Sequence, residues 1–321
     1  MKKIFVALLA ALCLTTSCKK DEDASIDPPV NPPATTVDGI TDYGAVDALF
    51  SVAPDKQVRF SMGNLQYRAS SHTWRFAEHQ YDRIGTDNEN ISDIYGGWID
   101  LFGWATSGWD CGNTYYMPYN WEFEDDYERG EGYGPLPPRD YDLVGDYANC
   151  DWGVFNAISN GGNKPGMWRT LSVDEWQYLI EKRPNASQKY AVASIEGING
   201  LILLPDDWVL PEGSSLNIGL ADNGDMSYYA RTNNLSAEQW LPLQCNGAVF
   251  LPAAGSRMEY KEVDYVNDIG RYWTPNRCFD KPLYEEWCAY TFYFQSDDII
   301  VREFNNPRNY GRAVRLVRDA Q

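Results

Sequence analysis

The sequence predicts an α+β domain with two principal short helices, small and mostly antiparallel sheets and long irregular loops. Three observations carry that expectation. A Ser-x-x-Glu capping box opens a helix at Ser172, in the middle of the chain. Strand-length apolar or alternating runs flank it, from 58 to 84 and from 248 to 317. Between 85 and 150 periodicity fails and Gly, Asp, Asn, Trp and Tyr dominate, as in long functional loops.

In chain order, Val58, Phe60 and Met62 alternate, as do Trp74 and Phe76, which predicts a hairpin around Ala69-Ser70-Ser71. Asp151 to Asn160 reads as a short helix with Trp152, Phe155 and Ile158 inward and Gly161-Gly162 as its stop. The central helix follows. Ser172 and Glu175 cap it, Leu171 staples to Trp176, and Asp174 and Glu175 sit at the positive end of its dipole. Trp176, Leu179 and Ile180 share one face, and Lys182, Arg183 and Pro184 end the helix.

Tyr190–Ser194 and Gly200–Pro205 are short strands. Leu235, Ser236, Gln239 and Trp240 repeat the staple and capping box in miniature, with Pro242 limiting that helix to one or two turns. Ala248–Leu251, Arg271–Thr274, Ala289–Phe294, Ile299–Phe304 and Arg312–Val317 complete the strands.

The chain of 321 residues is 44% hydrophobic and 14% aromatic, enough for a packed core. Its net charge of −19 argues against nucleic acid or an anionic membrane surface as a partner, since both recruit clustered Lys and Arg. Residues 1–17 combine Lys2 and Lys3 with an apolar run too short to span a bilayer, which reads as a signal peptide. Leu14-Thr15-Thr16-Ser17-Cys18 resembles a bacterial lipobox, which implies cleavage before Cys18 and lipidation of its thiol. Lys19-Lys20-Asp21-Glu22-Asp23 resembles the surface-export signal of Bacteroidota lipoproteins, and 18–37 forms a Pro-rich tether to a domain spanning 38–321. The implied location is the outer membrane, lipid-anchored and facing outward.

Beyond Cys18 lie Cys111, Cys150, Cys245, Cys278 and Cys288. Cys278 and Cys288 bracket one predicted loop and are the local disulfide candidate; an odd number leaves at least one thiol over. With no Cys-x-x-Cys pair and only His72 and His79, a zinc site is not expected. The acidic run Glu122–Glu131 has oxygens that suit calcium but lacks EF-hand spacing, so no cofactor is assigned. Trp98, Trp104, Trp109 and Trp121 have two readings: sugar-stacking platforms, or, as favoured for Trp98, Phe102 and Trp104, filling of a core beneath a loop.

WRTLSVDEWQYLIEKR at 168–183 resembles the helix signature of the formylglycine-generating-enzyme superfamily, and GRAVRLV at 311–317 its closing strand. Together with VRFSMGNLQYR, TWRFAEHQYDRIG, DLFGWATSG, WGVFNAISNGG, ILLPDDW and AVFLPAAG, these motifs are more similar still to Bacteroidota surface lipoproteins. Those carry a C-type-lectin-like domain of the Fibrobacter major paralogous type. The match covers most of 50–317 except 111–150, which has the character of an insertion.

This resemblance implies a C-type-lectin-like fold whose N- and C-terminal strands close a small sheet. The enzymes' copper-holding pair has cysteines only a few residues apart, and Cys278 and Cys288 are more widely spaced. The Glu-Pro-Asn and Trp-Asn-Asp triplets of calcium-dependent lectins are absent, with Thr274-Pro275-Asn276 and Asn306-Pro307-Arg308 as loose echoes.

The function expected is therefore a non-catalytic surface module binding a glycan or protein ligand. Its candidate contacts are Trp273, Asn276, Arg277, Phe279, Tyr284, Trp287, Tyr293, Arg302, Asn305, Asn306, Arg308, Asn309 and Tyr310. The alternatives are an enzyme on the same fold or a structural subunit of a surface fibre.

Overall fold

The computed structural model describes residues 36–111, 115–120, 141–258, 261–280 and 288–320. The signal and lipobox segment with Cys18, the tether up to residue 35, Trp121, the acidic run, Tyr284 and Trp287 lie outside the described residues. Thr36 and Val37, assigned to the tether by composition, already pair as β1 (Thr36–Val37) with β2 (Ile40–Thr41).

The fold is α+β, built from small, mostly antiparallel sheets and short helices. β3 (Phe50–Ala53) and β4 (Lys56–Phe60) form a hairpin, and β16 (Val317–Asp319) pairs with the free side of β4, so the first and last long segments share one sheet. β5 (Leu65–Arg68) and β6 (Thr73–Phe76) form the hairpin expected around Ala69–Ser71, with His72 left-handed at φ 49°. Val58 and Phe60 are not part of that hairpin: β4 ends at Phe60. A Cβ on Gly63 would meet the carbonyl oxygen of Ala77 at 2.6 Å, so the linking segment is packed backbone to backbone.

β7 (Tyr190–Ile195) and β8 (Ile198–Leu203) turn on Glu196-Gly197, both at positive φ, in the two-residue hairpin that matches strand twist. β10 (Val249–Pro252) flanks β8, and β9 (Asn234–Leu235) adds in parallel to β7. β11 (Ser256–Arg257) and β12 (Val263–Asp264) are a minor pair. The C-terminal meander is β13 (Gly270–Arg277), β14 (Ala289–Phe294) and β15 (Ile299–Glu303). Of the predicted strand Arg312–Val317, only Val317 enters a ladder; Arg312 and Ala313 make single bridges to Phe102 and Tyr272.

The described residues hold four α-helices where two principal ones were expected. α1 (Trp152–Phe155) is a single turn capped by Asp151. It stops early because the Asn156 side-chain amide donates to the carbonyls of Trp152 and Ser107, which leaves Phe155 exposed, not inward. α2 (Val173–Gln177) carries the complete Ser172/Glu175 capping box and continues as a π turn over Tyr178–Lys182. α3 (Ser227–Thr232) is short.

α4 (Ala237–Cys245) has its Ser236/Gln239 box and runs nine residues straight through Pro242. The acceptor that Pro242 leaves without a donor belongs to the exposed Glu238, where water reaches it, and Asn246 closes the next turn on Pro242.

The main core joins the terminal sheet, the C-terminal meander and α2 through Phe60, Trp176, Leu179 and Phe292. A second, aromatic cluster packs Trp74, Phe76, Phe102, Trp104, Trp152, Trp168 and Trp273 around the β5–β6 hairpin. Phe102 and Trp104 are therefore core, as the packing reading held. Trp98 is not: it is half-buried, with the Arg68 and Arg75 guanidiniums 4.1 and 4.0 Å from its ring.

Glu175 does more than cap, because it also pairs with Arg169 at 2.8 Å and Lys56 at 2.9 Å. Ser172→Ala is expected to cost about 1 kcal/mol and Glu175→Ala about twice that in urea unfolding. Equal losses for the two would contradict this role for Glu175.

Candidate ligand-binding face

The described members of the thirteen candidate contacts, all but Tyr284 and Trp287, divide once β13–β15 fold around them. Trp273 points inward at 1% exposure and donates its indole N–H to Phe102 O at 2.7 Å. Asn306 is fully buried, donating to Thr291 Oγ1 and Glu303 Oε2 and accepting from Arg312 Nε, all at 3.0 Å. Arg308 is buried over the Trp104 ring at 4.7 Å and donates to Cys288 O. These three are scaffold, a correction to their assignment as contacts, because a ligand cannot reach them without unfolding the segment.

Tyr310 is half-buried with the Arg312 guanidinium 5.1 Å from its ring, and Asn309 is half-buried beside it in sequence. Tyr293 lies at the opposite end of β14, under Arg271 at 5.2 Å with its hydroxyl donating to Gln295. Burial, outweighing the lowering effect of Arg271, pushes its hydroxyl up to about 12. Tyr293 does not share a surface with the others.

What remains is an edge where β13 and β15 meet the start of α2. A register shift follows Trp273 in β13, and Asn276 turns toward the helix. Its Oδ1 accepts from Val173 N–H at 3.0 Å, meeting one of the helix's unpaired first-turn donors. Its Nδ2 donates to Asp142 Oδ2 at 3.0 Å, while Arg277 N–H donates to the other Asp142 oxygen at 2.9 Å.

Phe279 stands 47% exposed, edge-on to Tyr290 at 5.6 Å. Arg302 lies 5.4 Å from the Phe279 ring and 5.5 Å from Tyr290, and its guanidinium is 3.5 Å from both Asp174 and Asp280. The Tyr290 hydroxyl donates to Asp280; burial first and this carboxylate second push the phenol up. Asn305 is exposed nearby in sequence.

The 3.5 Å ion pair with Asp174, a carboxylate 87% exposed, is weak and exchangeable. The arrangement therefore offers a fixed apolar ring beside a guanidinium whose donors can turn to a ligand acceptor. Asp142, Asp174 and Asp280 join the face unpredicted. In sequence Asp174 reads only as a dipole charge, and nothing there links Asp142 to Asn276.

A partly buried carboxylate supports this edge from behind. Glu303 takes the Arg271 guanidinium in two bonds of 3.0 and 2.9 Å, and also accepts from Thr291 Oγ1 at 2.7 Å. Burial raises the Glu303 carboxyl, but the Arg271 bonds and charge outweigh it and hold the group below its usual range.

Among the described residues, no group of three or more His, Cys, Asp or Glu could hold a metal ion. His72 accepts or donates at Tyr67 OH, 3.1 Å away, and His79 stacks on Tyr81. Trp109 is half-buried against the aromatic cluster. Two concavities lie away from the edge, a polar groove of about 440 Å³ beside Asn217 and Glu238 and one of about 490 Å³ beside Lys164 and Arg318. In the first, the Asn217 and Asn233 amides are already spent on backbone carbonyls.

No protein-family model, curated protein or solved structure matches this chain.

Because its folded-state pKa is depressed, Glu303 stabilises the fold above the ordinary carboxylate range, and that contribution is lost as pH falls through the depressed value. Glu303→Gln should cost about 3 kcal/mol at neutral pH and flatten the acid limb of a plot of Tm against pH below about 4. An acid limb unchanged in the variant would contradict the role assigned to Glu303.

Proposed function

We propose that this chain is a non-catalytic binding module of C-type-lectin-like fold, lipid-anchored through Cys18 at the outer membrane and exposed to the outside. In this reading it presents the Asn276–Phe279–Arg302 edge to a glycan or protein ligand. The observation that carries the reading is the pairing of a 47% exposed Phe279 with the Arg302 guanidinium at 5.4 Å. Aromatic rings and arginines anchor interfaces because they combine large contact area with directed donors. The antiparallel pairing of β16 with β4 and the capped α2 support the lectin-like topology. The leader and lipobox support the location.

An enzymatic reading gains one observation. Cys278 and Cys288, too far apart in sequence for the relatives' copper pair, face each other across β13 and β14, with Cys278 N–H donating to Cys288 O at 3.2 Å. Both are fully buried, and burial first and the neighbouring thiol second push the Cys288 thiol well up. A metal here would have to displace the thiol protons of this buried pair.

A glycan array and a surface-protein pull-down with the domain test the proposal. Phe279→Ala and Arg302→Ala should each weaken the captured ligand about tenfold or more, with Ile94→Ala neutral. EDTA should leave binding intact. Absence of any ligand, or capture indifferent to both edge variants, would overturn the assignment; copper uptake lost in Cys288→Ser would favour the enzyme, and self-assembly without ligand a fibre subunit.

A further inference from the structure

The β5–β6 hairpin has one face in the aromatic cluster, filled by Leu65, Tyr67, Trp74 and Phe76. The register that pairs Gln66 with Arg75 and Arg68 with Thr73 sets those four residues on the other face. There the Arg68 and Arg75 guanidiniums meet one indole, 4.1 and 4.0 Å from the Trp98 ring. The backbone around Trp98 is fixed. Ile99 exchanges both backbone hydrogen bonds with Tyr67 at 2.9 Å, and Ser70 N–H donates to Tyr95 O at 3.1 Å.

Two like charges on one ring repel, and the protein does little to offset them. Arg75 Nε donates to the buried Gln66 Oε1 at 2.9 Å, and its Nη1 pairs at 3.0 Å with Glu78, a carboxylate 69% exposed and therefore a weak partner. Arg68 has no carboxylate. Among the described residues its side chain makes no hydrogen bond or ion pair, and its Nε is enclosed without an acceptor. Elsewhere in this acidic chain Arg59, Arg169, Arg183 and Arg271 each hold an Asp or Glu within 3.3 Å.

A ring contact occupies the flat face of a guanidinium and leaves the N–H edge free to bind a planar or tetrahedral oxyanion. With both Nε groups turned inward, the donors left to a ligand are the terminal nitrogens. The approach is open at Gly96, where an added Cβ would meet only Ser70 Oγ, at 4.0 Å.

We propose that Arg68 and Arg75, braced on Trp98, form an oxyanion-binding site that takes a sulfate, phosphate or carboxylate group. The bound group supplies the negative charge that the two arginines lack. Trp98 acts here as the brace for two cations, not as a bare platform for a neutral sugar. The site shares no residue with the Asn276–Phe279–Arg302 edge and does not depend on what that edge binds.

Isothermal titration calorimetry of the full chain at low ionic strength tests this, with sodium sulfate, glucose 6-sulfate, glucose 6-phosphate and glucuronate as probes and glucose as the neutral control. At least one charged probe should bind, glucose should not, and affinity should fall as sodium chloride is added. Sulfate matching glucose 6-sulfate would support the site as one for the free ion; a tighter ester would support it as one for a sugar-borne group. Arg68→Ala and Arg75→Ala should each weaken binding about tenfold or more, with Arg302→Ala unchanged. Arg68→Lys, which keeps the charge without the fork, should fall between and guards against a loss due only to misfolding. No binding of any charged probe, equal binding of glucose, affinity unchanged in both alanine variants, or loss in Arg302→Ala instead would overturn the proposal.

Discussion

Trp176 lies face to face with Phe292, ring centroids 4.1 Å apart and planes 3° from parallel, with Phe60 a further contact at 6.0 Å. One side chain thereby ties α2 to the C-terminal meander and to the sheet made by the two ends of the chain. Burying a tryptophan removes on the order of 200 Å² from water, and a well-placed aromatic partner adds to that. α2 itself is too short to be stable alone, so its cap and this contact need each other. Ser172 and Glu175 set the entry of the helix, and Glu175 holds Lys56 of the terminal sheet and Arg169, which bridges to Val317. If Trp176 lost its seat, both sheets would lose their common floor.

The polar interior follows the same logic. Glu303, Arg271, Thr291, Asn306 and Arg312 form one bonded set beneath the last loop. Arg315 is fully enclosed and contacts neutral acceptors, the Gln80 Oε1 at 2.9 Å and the Phe250 carbonyl at 3.3 Å; burial pulls its guanidinium down to about 10. Charges placed so deeply are costly to break and hold the segment from 303 to 315 in one conformation. The exposed Phe279 and the loosely paired Arg302 can therefore be presented by a rigid support.

Local chemistry was legible in the sequence wherever it was self-contained. Both capping boxes, the hairpin at Ala69–Ser71 and strands such as Ala289–Phe294 need only neighbours a few residues away. The direction a strand residue faces was less legible, because β13 is buried along both faces from Tyr272 to Pro275 and alternation carries no signal there. Hence Trp273 looks like a ligand contact in one dimension and proves to be scaffold, as do Asn306 and Arg308, which lie in the loop after β15 where no periodicity shows which way a residue faces. Phe155 and Trp98 mislead for a related reason. An Asn156 side chain ends a helix early in the first case, and two arginines cover a ring in the second. The meeting of Asp142 with Asn276 is set by tertiary closure alone.

A double-mutant cycle at the Trp176–Phe292 contact tests the central claim most directly. Trp176→Leu, Phe292→Leu and the double variant would be compared by urea denaturation. The account predicts a coupling of about 1 kcal/mol or more, since each ring's contribution depends on the other. Additivity within about 0.5 kcal/mol would contradict it and show that the helix and the meander are held together by other contacts.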